Sequence, residues 1–435
     1  MIISSKKLYL PLIALLFSAC SLEDLPDPNG PSLSGTLSNA NQQTMNFLVT
    51  GLEAEIRNGR AGFITATGTI ARELYDFNSS DPATLVNLLG KEGTQLTGSE
   101  PQLTGTIFAR YQAVKSADFI LQAVEDATVT EAQKRGYRAF AYTMRGYALI
   151  DVLMLLDDNG VRVDISDPDN LGPWLDRSAG FAAIRQMLDD GFDQLTGAEF
   201  SFALSSGFDG FDSPASFGEL NRAIAARAAL YDGDHAAALT LLGDSFLSLN
   251  AADLTTGARR FYAQTEILNP IFKTPQQSTD QYVVHNRLVT DIRPTDTRIS
   301  KFRVRDVASP RDGVNGTHEM AIYATSTDPI DHIRNEELIL IYAEANINAT
   351  TPDFQAAEDA LNILNGAYGL ANYAGAQNVA ELTDELIYHR TYSLWGEGHA
   401  MFDLRRNGRL NSTNLPLDRA GDLVHTHFPI PPFDR

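Results

Sequence analysis

Apolar residues recur at intervals of three and four along much of the chain. The clearest stripe runs over residues 137–155 and consists of Tyr137, Phe140, Ala141, Met144, Tyr147, Ala148 and Leu155. Residues 104–126 and 179–195 repeat the spacing. Because this spacing places the apolar side chains on one face of an α-helix, it predicts three helices that bury that face. The turn-forming sequence DDNG at 157–160 ends the middle one.

Two later segments each predict a pair of helices joined by a short break. In the first, a helix over 220–231 is followed by the sequence DGD and a helix that opens at Ala236. In the second, a helix over 337–346 is followed by TTP and a helix that opens at Ala356. Stacked antiparallel pairs with small residues at their crossings are typical of tetratricopeptide-like proteins. The pattern therefore predicts a mostly α fold of tetratricopeptide-like helical pairs.

Two other regions lack helical periodicity. Residues 196–217 are rich in Gly, Ser, Phe and Asp, and residues 265–332 mix Pro, Asp, Arg and Thr with short β-like runs such as 282–284. We expect long irregular loops and a few short strands, laid over the helices. Loops of this length in a compact protein usually carry function.

The first residues of the chain have the pattern of an export signal. Lys6 and Lys7 precede an apolar run over 8–17, and the sequence SA precedes Cys20. The run is too short to span a bilayer as a helix but fits the core of a secretory signal. The residues before Cys20 resemble a bacterial lipobox, which predicts lipidation of Cys20; an ordinary signal peptide is the alternative. We expect a signal peptide over 1–19, a Pro-rich tether over 20–44 and a single domain over 45–435.

The net charge and the cysteine content limit the classes of partner and site that this chain can have. The 435 residues include 34 basic and 55 acidic side chains, a formal net charge of −21. Such an acidic surface repels phosphate backbones, which argues against nucleic acid. It is not attracted to anionic lipid either, so we expect membrane contact through the acyl anchor only. Cys20 is the only cysteine, which excludes an intrachain disulfide and a cysteine-cluster metal site.

Four segments carry motifs that belong together. Residues 390–406 read RTYSLWGEGHAMFDLRR, residues 334–345 read RNEELILIYAEA, and shorter motifs are RAFAY at 138–142 and FPIP at 428–431. Taken in chain order, 138–142, 334–345, 390–406 and 428–431, they resemble the SusD/RagB family. The positions that match its two longer motifs are Arg334, Glu337, Glu344, Arg390, Leu394, Glu397, Gly398, Asp403, Leu404 and Arg406. The positions that depart from the family's pattern around the 390–406 motif are His389, Ser393 and Ala400.

We interpret these motifs as structural. Gly398 has the position of a helix C-cap, and the charged residues around it, Glu397, Asp403 and Arg406, could form buried ion pairs that hold the last helix. Glu337 and Glu344 are seven residues apart, which places them on one helix face about 10.5 Å from each other. That separation suits two independent contacts better than one acid–base pair.

The resemblance also implies a fold, a function and partners. It implies a SusD-like α-helical domain in a lipid-anchored outer-membrane protein that faces the cell exterior. Such a protein captures a nutrient, expected here to be an oligosaccharide or another small nutrient, and delivers it to a SusC-like TonB-dependent transporter. We therefore expect binding rather than catalysis, and no cofactor.

In the family, loops of two regions build the ligand site. Sugars are held by aromatic faces and by polar side chains that bond to hydroxyls. The corresponding residues here are Arg72, Tyr75, Phe77, Asn78, Asp81, Tyr282 and Arg287. An alternative for Tyr75 and Phe77 is that they are core aromatics. Trp174 is expected to be an exposed loop aromatic that contacts either a ligand or a partner protein.

The sequence carries no familiar catalytic motif and no transition-metal motif. A surface glycoside hydrolase stays open as an alternative, because it needs only two suitably placed carboxylates. A tetratricopeptide-like protein-interaction scaffold is the other alternative. Asp164, Asp167 and Asp169 could take calcium, although solvated acids are favoured, and His425 and His427 are expected to be a surface pair.

Overall fold

The computed structural model describes residue 35 and residues 37–78 and 83–432. The predicted signal peptide, Cys20 and Asp81 lie outside these residues. Within the predicted tether, Leu37 and Ala40 are buried and a helix begins at Gln42 with Asn41 as its N-cap. Packed structure therefore begins before residue 45, because these apolar side chains join the main core.

The predicted mostly α fold is confirmed. The α-helices, in chain order, are α1 Gln42–Arg57, α2 Arg60–Ile70, α3 Ala83–Asn87, α4 Pro101–Asp126, α5 Glu131–Leu156, α6 Arg177–Gln194, α7 Pro214–Asp232, α8 His235–Gly243, α9 Asn286–Asp291, α10 Asn335–Asn348, α11 Phe354–Ala367, α12 Val379–Ser393 and α13 Ala400–Arg406. Each of the helices predicted from periodicity is present.

Helix α5 is the centre of the main core. The capping box of Thr130 and Gln133 starts it, and positive φ angles at Asp157 and Gly160 form the turn that follows. The helix packs against α4 and α6 and is buried on all sides over its second half. Among the described residues, Glu131–Asn159 alone is long and apolar enough to cross a membrane, but 89 % of its apolar window is buried inside the protein. It is therefore a core helix.

The two predicted helix pairs are α7 with α8 and α10 with α11. Gly233 adopts a left-handed conformation (φ 86°) that ends α7, and the Asp234 side chain then caps α8. Helix α10 packs against α8, α11 and α12 and is buried on all sides. The helical pairs thus share one another's apolar faces, as stacked pairs must.

The non-helical regions contain short strands. They are β1 Leu74–Asp76, β2 Val161–Arg162, β3 Trp174–Leu175, β4 Gly257–Arg260, β5 Tyr282–Val284, β6 Phe302–Arg311, β7 Val314–Met320 and β8 Ile330–Arg334. An antiparallel sheet has the order β1-β5-β7-β6, and β2 pairs with β3 and β4 with β8. The region 196–217 is shorter than predicted, because the Ser213 capping box starts α7 at Pro214.

Buried ion pairs join the C-terminal motif residues. Arg227 donates to both carboxylate oxygens of Glu337, at 2.6 and 2.5 Å. Arg406 pairs with Glu344 and, at 2.9 Å, with Asp403. Burial raises the pKa of Glu337, but the charge and hydrogen bonds of Arg227, together with His399 and Arg390, outweigh burial and lower the pKa to about 2.

The remaining motif residues extend the same network. The Arg390 Nε atom lies 2.7 Å from Asp403, and Arg334 Nη1 lies 2.5 Å from Glu397. Each charge removed from water thus faces an opposite charge, which buried ions require. Glu337 and Glu344 make separate contacts, with α7 and α13 respectively.

Gly398 differs from the predicted C-cap. Helix α12 already ends at Ser393, and Gly398 lies in the turn that leads into α13, with φ 88°. A Cβ atom there would approach the Phe63 ring to 2.6 Å. Glycine is thus required by both the left-handed backbone and the close packing.

The turn before Gly398 receives a buried carboxylate from the β1 region. The Glu73 side chain is 2 % exposed and accepts a hydrogen bond from the Gly396 backbone at 2.6 Å. Burial raises the pKa of this carboxyl to about 8. Its backbone carbonyl accepts from the Trp395 ring nitrogen at 3.3 Å. Glu73 therefore links the β1 region to the C-terminal motif.

We expect Arg227→Met to destabilise the fold by about 3–5 kcal/mol, because it leaves the Glu337 carboxylate buried without its main partner. Urea unfolding followed by circular dichroism measures the change. The matched control is Arg185→Met, which removes a more exposed pair with Asp232 and Asp234 and should cost at most about 1 kcal/mol. Equal losses in the two variants would contradict a special role for the buried pair.

Candidate functional site

A cleft of about 780 Å³ opens beside the C-terminal segment. It is lined by Gln95, Leu96, Asn159, Leu410, Asn411, Ser412, Leu417, Asp422, Leu423, Val424, His425, Thr426, His427, Pro429 and Ile430. The lining mixes apolar side chains with amides, hydroxyls and imidazoles. A concave site of this size and mixture is typical of small-molecule binding.

Backbone hydrogen bonds fix the wall formed by residues 421–428. The amides of Leu423 and Phe428 donate to the carbonyls of Leu89 and Leu155, at 3.0 and 2.9 Å. The Gly421 carbonyl accepts from Gly93 at 3.0 Å. The wall is thus tied to the loop before α4 and to the end of α5, although it is neither helix nor strand.

The buried carboxylate of Asp418 anchors the start of this wall. It accepts the Tyr75 hydroxyl and lies 3.3 Å from His285 Nε2 and 3.6 Å from Arg72 Nε. Arg72 also donates to the Leu423 carbonyl at 2.7 Å. Burial raises the pKa of Asp418, but the bonds from His285 and Tyr75 outweigh it and lower the pKa.

The predicted ligand residues of the first region lie beneath the wall. Arg72, Tyr75 and Phe77 are at most 1 % exposed. This placement differs from a loop that offers its side chains to a sugar. The pairing of β1 with β5 places Tyr75 and Phe77 in a buried cluster with Val283, and Arg72 donates to the carbonyls of Ile70 and Leu423. In the structure Tyr75 and Phe77 are core aromatics, which was the alternative prediction for them. Asn78 is half-buried and borders the undescribed residues 79–82, which include Asp81.

The second predicted region is also largely internal. Tyr282 is 4 % exposed in β5, opposite Asp76. Arg287 is half-buried and donates to the carbonyls of Arg72 and Ala71, at 3.1 and 3.2 Å. Burial lowers the pKa of its guanidinium. Both residues therefore brace the β1 region that supports the cleft.

Trp174 contacts the edge of the cleft at Asn159. It is half-buried rather than exposed, and its ring nitrogen donates to the Asn159 carbonyl at 2.6 Å. The Asn159 side chain in turn donates to the Phe428 carbonyl at 2.8 Å. Trp174 thus positions a residue that lines the cleft.

The one acid among the described lining residues, Asp422, is paired with an arginine. Asp422 is paired with Arg419 at 3.0 Å. His425 is buried, unlike the predicted surface histidine, and its Nε2 donates to the Asn87 carbonyl at 3.0 Å; burial lowers its pKa. His427 is half-buried and lies 3.1 Å from the Thr426 hydroxyl. The site therefore suits an uncharged ligand rich in hydroxyl groups.

Asp422 is the sole carboxylate among the described lining residues. The lining thus lacks the pair of carboxylates that glycoside hydrolysis requires. In the part of the chain that the structure describes, no group of three or more His, Cys, Asp or Glu could hold a metal ion. Asp164 and Asp167 instead accept backbone amides at 3.0 Å within their own loop.

Comparison with known proteins finds one matching family model and solved structures of similar fold. Residues 257–430 match the model of the SusD family. Surface glycan-binding protein A from Bacteroides thetaiotaomicron, solved in complex with laminarihexaose, superposes with a TM-score of 0.68 at 14 % identity, covering 91 % of this chain and 97 % of that one.

Two further solved structures give similar values. A SusD superfamily protein from Parabacteroides distasonis ATCC 8503 has a TM-score of 0.66 at 16 % identity, covering 91 % of this chain and 97 % of its own. One from Bacteroides vulgatus ATCC 8482 has 0.66 at 14 %, covering 90 % and 96 %. A comparison with curated proteins found no match. The family resemblance predicted from sequence is confirmed.

We expect Trp174→Phe to loosen the cleft edge, because it removes the donor to Asn159. The loss of one buried hydrogen bond costs about 1–2 kcal/mol. Hydrogen exchange at the Phe428 amide should accelerate by roughly tenfold or more. Leu171→Ala, on the same loop and exposed, is the control and should leave that exchange rate unchanged. Slow exchange in both variants would show that Trp174 does not position this edge.

Proposed function

Given that residues 257–430 carry the SusD family sequence and that the described chain has the SusD fold, we propose that this protein is a surface oligosaccharide-binding lipoprotein. It binds its ligand without chemical change in the cleft beside the C-terminal segment. It then delivers the ligand to a SusC-like TonB-dependent transporter in the outer membrane.

The observation that carries the binding proposal is the lining of the cleft. Residues with amide, hydroxyl and imidazole groups, from four separate segments, line one concave space, and its one acid is paired with Arg419. Neutral donors and acceptors of this kind can hold sugar hydroxyls. The laminarihexaose complex of the similar fold supports a neutral oligosaccharide as the ligand class.

We expect isothermal titration with a panel of neutral oligosaccharides, including laminarihexaose, to detect binding by the chain without residues 1–20. His427→Ala should weaken that binding by about tenfold, because it removes a polar contact inside the cleft. His318→Ala is a matched control: it is also half-buried beside a threonine hydroxyl, at 2.9 Å, but lies on β7 outside the cleft.

Three outcomes would contradict this proposal. Binding that His427→Ala leaves unchanged would place the ligand elsewhere. Release of shorter sugars during incubation would favour the alternative of a surface glycoside hydrolase. The scaffold alternative would be favoured if the protein retained no oligosaccharide but bound a partner chain tightly.

The anchor belongs to the same proposal. Lipidation of Cys20 would hold the protein at the outer membrane by its acyl chains, since the net charge of −21 offers no attraction to anionic lipid. The Pro-rich residues that follow would extend from the membrane. The exterior is the side on which nutrient capture is useful.

Support for a transporter contact comes from exposed apolar residues on β6. Val304 and Val307 are 65 % and 73 % exposed, within the region 265–332 that interrupts the helical pairs. β6 is also an edge of its sheet; the Gln276 side chain bonds to the backbone of Val304 and Asp306 on its outer side, and the two valine side chains stay exposed. Large exposed apolar side chains on an edge strand are typical of interaction surfaces.

We expect the protein, extracted from its native membrane in mild detergent, to co-purify with a TonB-dependent transporter. Val307→Asp should reduce the co-purified transporter severalfold, because a charge would have to be desolvated in the interface. Val379→Asp, on α12 and 45 % exposed, is the control and should leave the complex intact. Purification of the lipoprotein alone under these conditions would contradict the transporter contact.

A further inference from the structure

Three buried arginines from separate elements meet in the interior. Arg60 begins α2, Arg110 lies in α4 and Arg260 ends β4, and their exposures are 5 %, 1 % and 1 %. We call these three residues the arginine cluster. It lies outside the residues that line the cleft, and the proposed function does not use it.

The arginine cluster carries more positive than negative charge. Asp151 Oδ2 lies 3.7 Å from Arg60 Nη1 and 3.4 Å from Arg110 Nη1. Among the described residues, Arg260 has no carboxylate within 4.0 Å. The three guanidiniums of the cluster thus have only one carboxylate, Asp151, to balance their charge. Burial and then the charge of Arg260 lower the pKa of Arg60, which agrees with uncompensated repulsion.

Neighbouring carboxylates are paired elsewhere and do not supply the missing charge: Asp331 pairs with Arg259 and Arg334, and Glu397 pairs with Arg334. The nearby Arg227 is already matched by Glu337, and burial together with Arg260 keeps the pKa of His332 well below its usual range, so that ring is neutral. Backbone carbonyls satisfy some guanidinium donors: Arg260 Nη1 donates to Asp331 at 2.6 Å and Arg110 Nη2 to Ile56 at 3.2 Å. Carbonyl dipoles reduce the local potential but carry no net charge.

Several donors in this cluster are buried without a partner in the described structure. They are the Nε atoms of all three arginines and the hydroxyl of Tyr262. Tyr262 is 2 % exposed, and the carbonyl of its neighbour Phe261 accepts from Arg57 at 2.9 Å, beside the Ile56 carbonyl that Arg110 contacts. Buried donors in folded proteins are almost always paired, with protein, water or an ion.

We propose that the arginine cluster and the Tyr262 hydroxyl bind a small monovalent anion of halide size. An anion would both lower the excess positive charge and accept bonds from donors that otherwise have no acceptor. The surrounding side chains are buried, which favours a small ion over a large carboxylate. Water could accept the same bonds but would leave the charge unbalanced.

The chain without residues 1–20 tests this proposal through thermal unfolding in sodium bromide and sodium gluconate at equal ionic strength. Gluconate is too large for an enclosed site. Above the dissociation constant, the unfolding temperature should rise by about 1.5 °C for each tenfold increase in bromide, because a ligand that binds only the folded state stabilises it logarithmically. The same temperatures in both salts would overturn the proposal.

A conservative variant separates specific binding from general salt effects. Tyr262→Phe removes one donor and no charge, and should raise the bromide concentration needed for the response by about tenfold. Tyr373→Phe is the control and should respond as the parent does. The Tyr373 hydroxyl bonds to the nearby Ala376 carbonyl and is not part of the arginine cluster. Equal responses in the two variants would place the bromide elsewhere.

Anomalous diffraction from bromide-soaked crystals gives an independent readout. The proposal requires a bromide peak within about 3.5 Å of the arginine Nε atoms. A water molecule without anomalous signal at that place, or bromide at surface positions only, would overturn it.

Discussion

Carboxylates buried on helix α10 hold together elements that are distant in sequence. Glu337 accepts Arg227 from α7, Glu344 accepts Arg406 from α13, and Arg334, just before the helix, reaches Glu397 in the turn that precedes α13. Desolvation makes such pairs poor sources of net stability, but the loss of one partner leaves a buried charge and is expensive. Their physical role is therefore to exclude other arrangements of the helical pairs, because each misplacement would strand a charge.

The cleft depends on the same kind of long-range polar contact. Its wall has no regular secondary structure, so Asp418 and Arg72 replace the ladder of a strand with side-chain bonds. The arginine that supports this wall lies roughly 350 positions earlier in the chain than the carbonyl it holds. Helical pairs provide the rigid frame, and backbone hydrogen bonds together with single polar side chains attach the cleft wall to it.

Sequence periodicity predicted the helices because each buries a face whose spacing is visible within one segment. It could not predict the sheet: β1 has three residues, and its partner β5 lies about 200 residues away. For this reason Tyr75 and Tyr282 seemed suited to a surface site, although strand pairing turns them inward. The lining residues Asn159, Asn411 and His427 come from separate segments. Sequence patterns singled out His425, His427 and the FPIP motif, which all border the cleft, but assigned none of them to a ligand site.

Glu73 gives folding an unusual stoichiometry. Its carboxyl has a pKa of about 8 in the folded chain against 4.5 for an ordinary glutamate. Between these two values the unfolded chain has released this proton while the folded chain retains it. This group's contribution is therefore fully favourable below pH 4.5 and is lost as the pH rises towards 8. At neutral pH the Glu73 carboxyl therefore takes up a hydrogen ion when the chain folds.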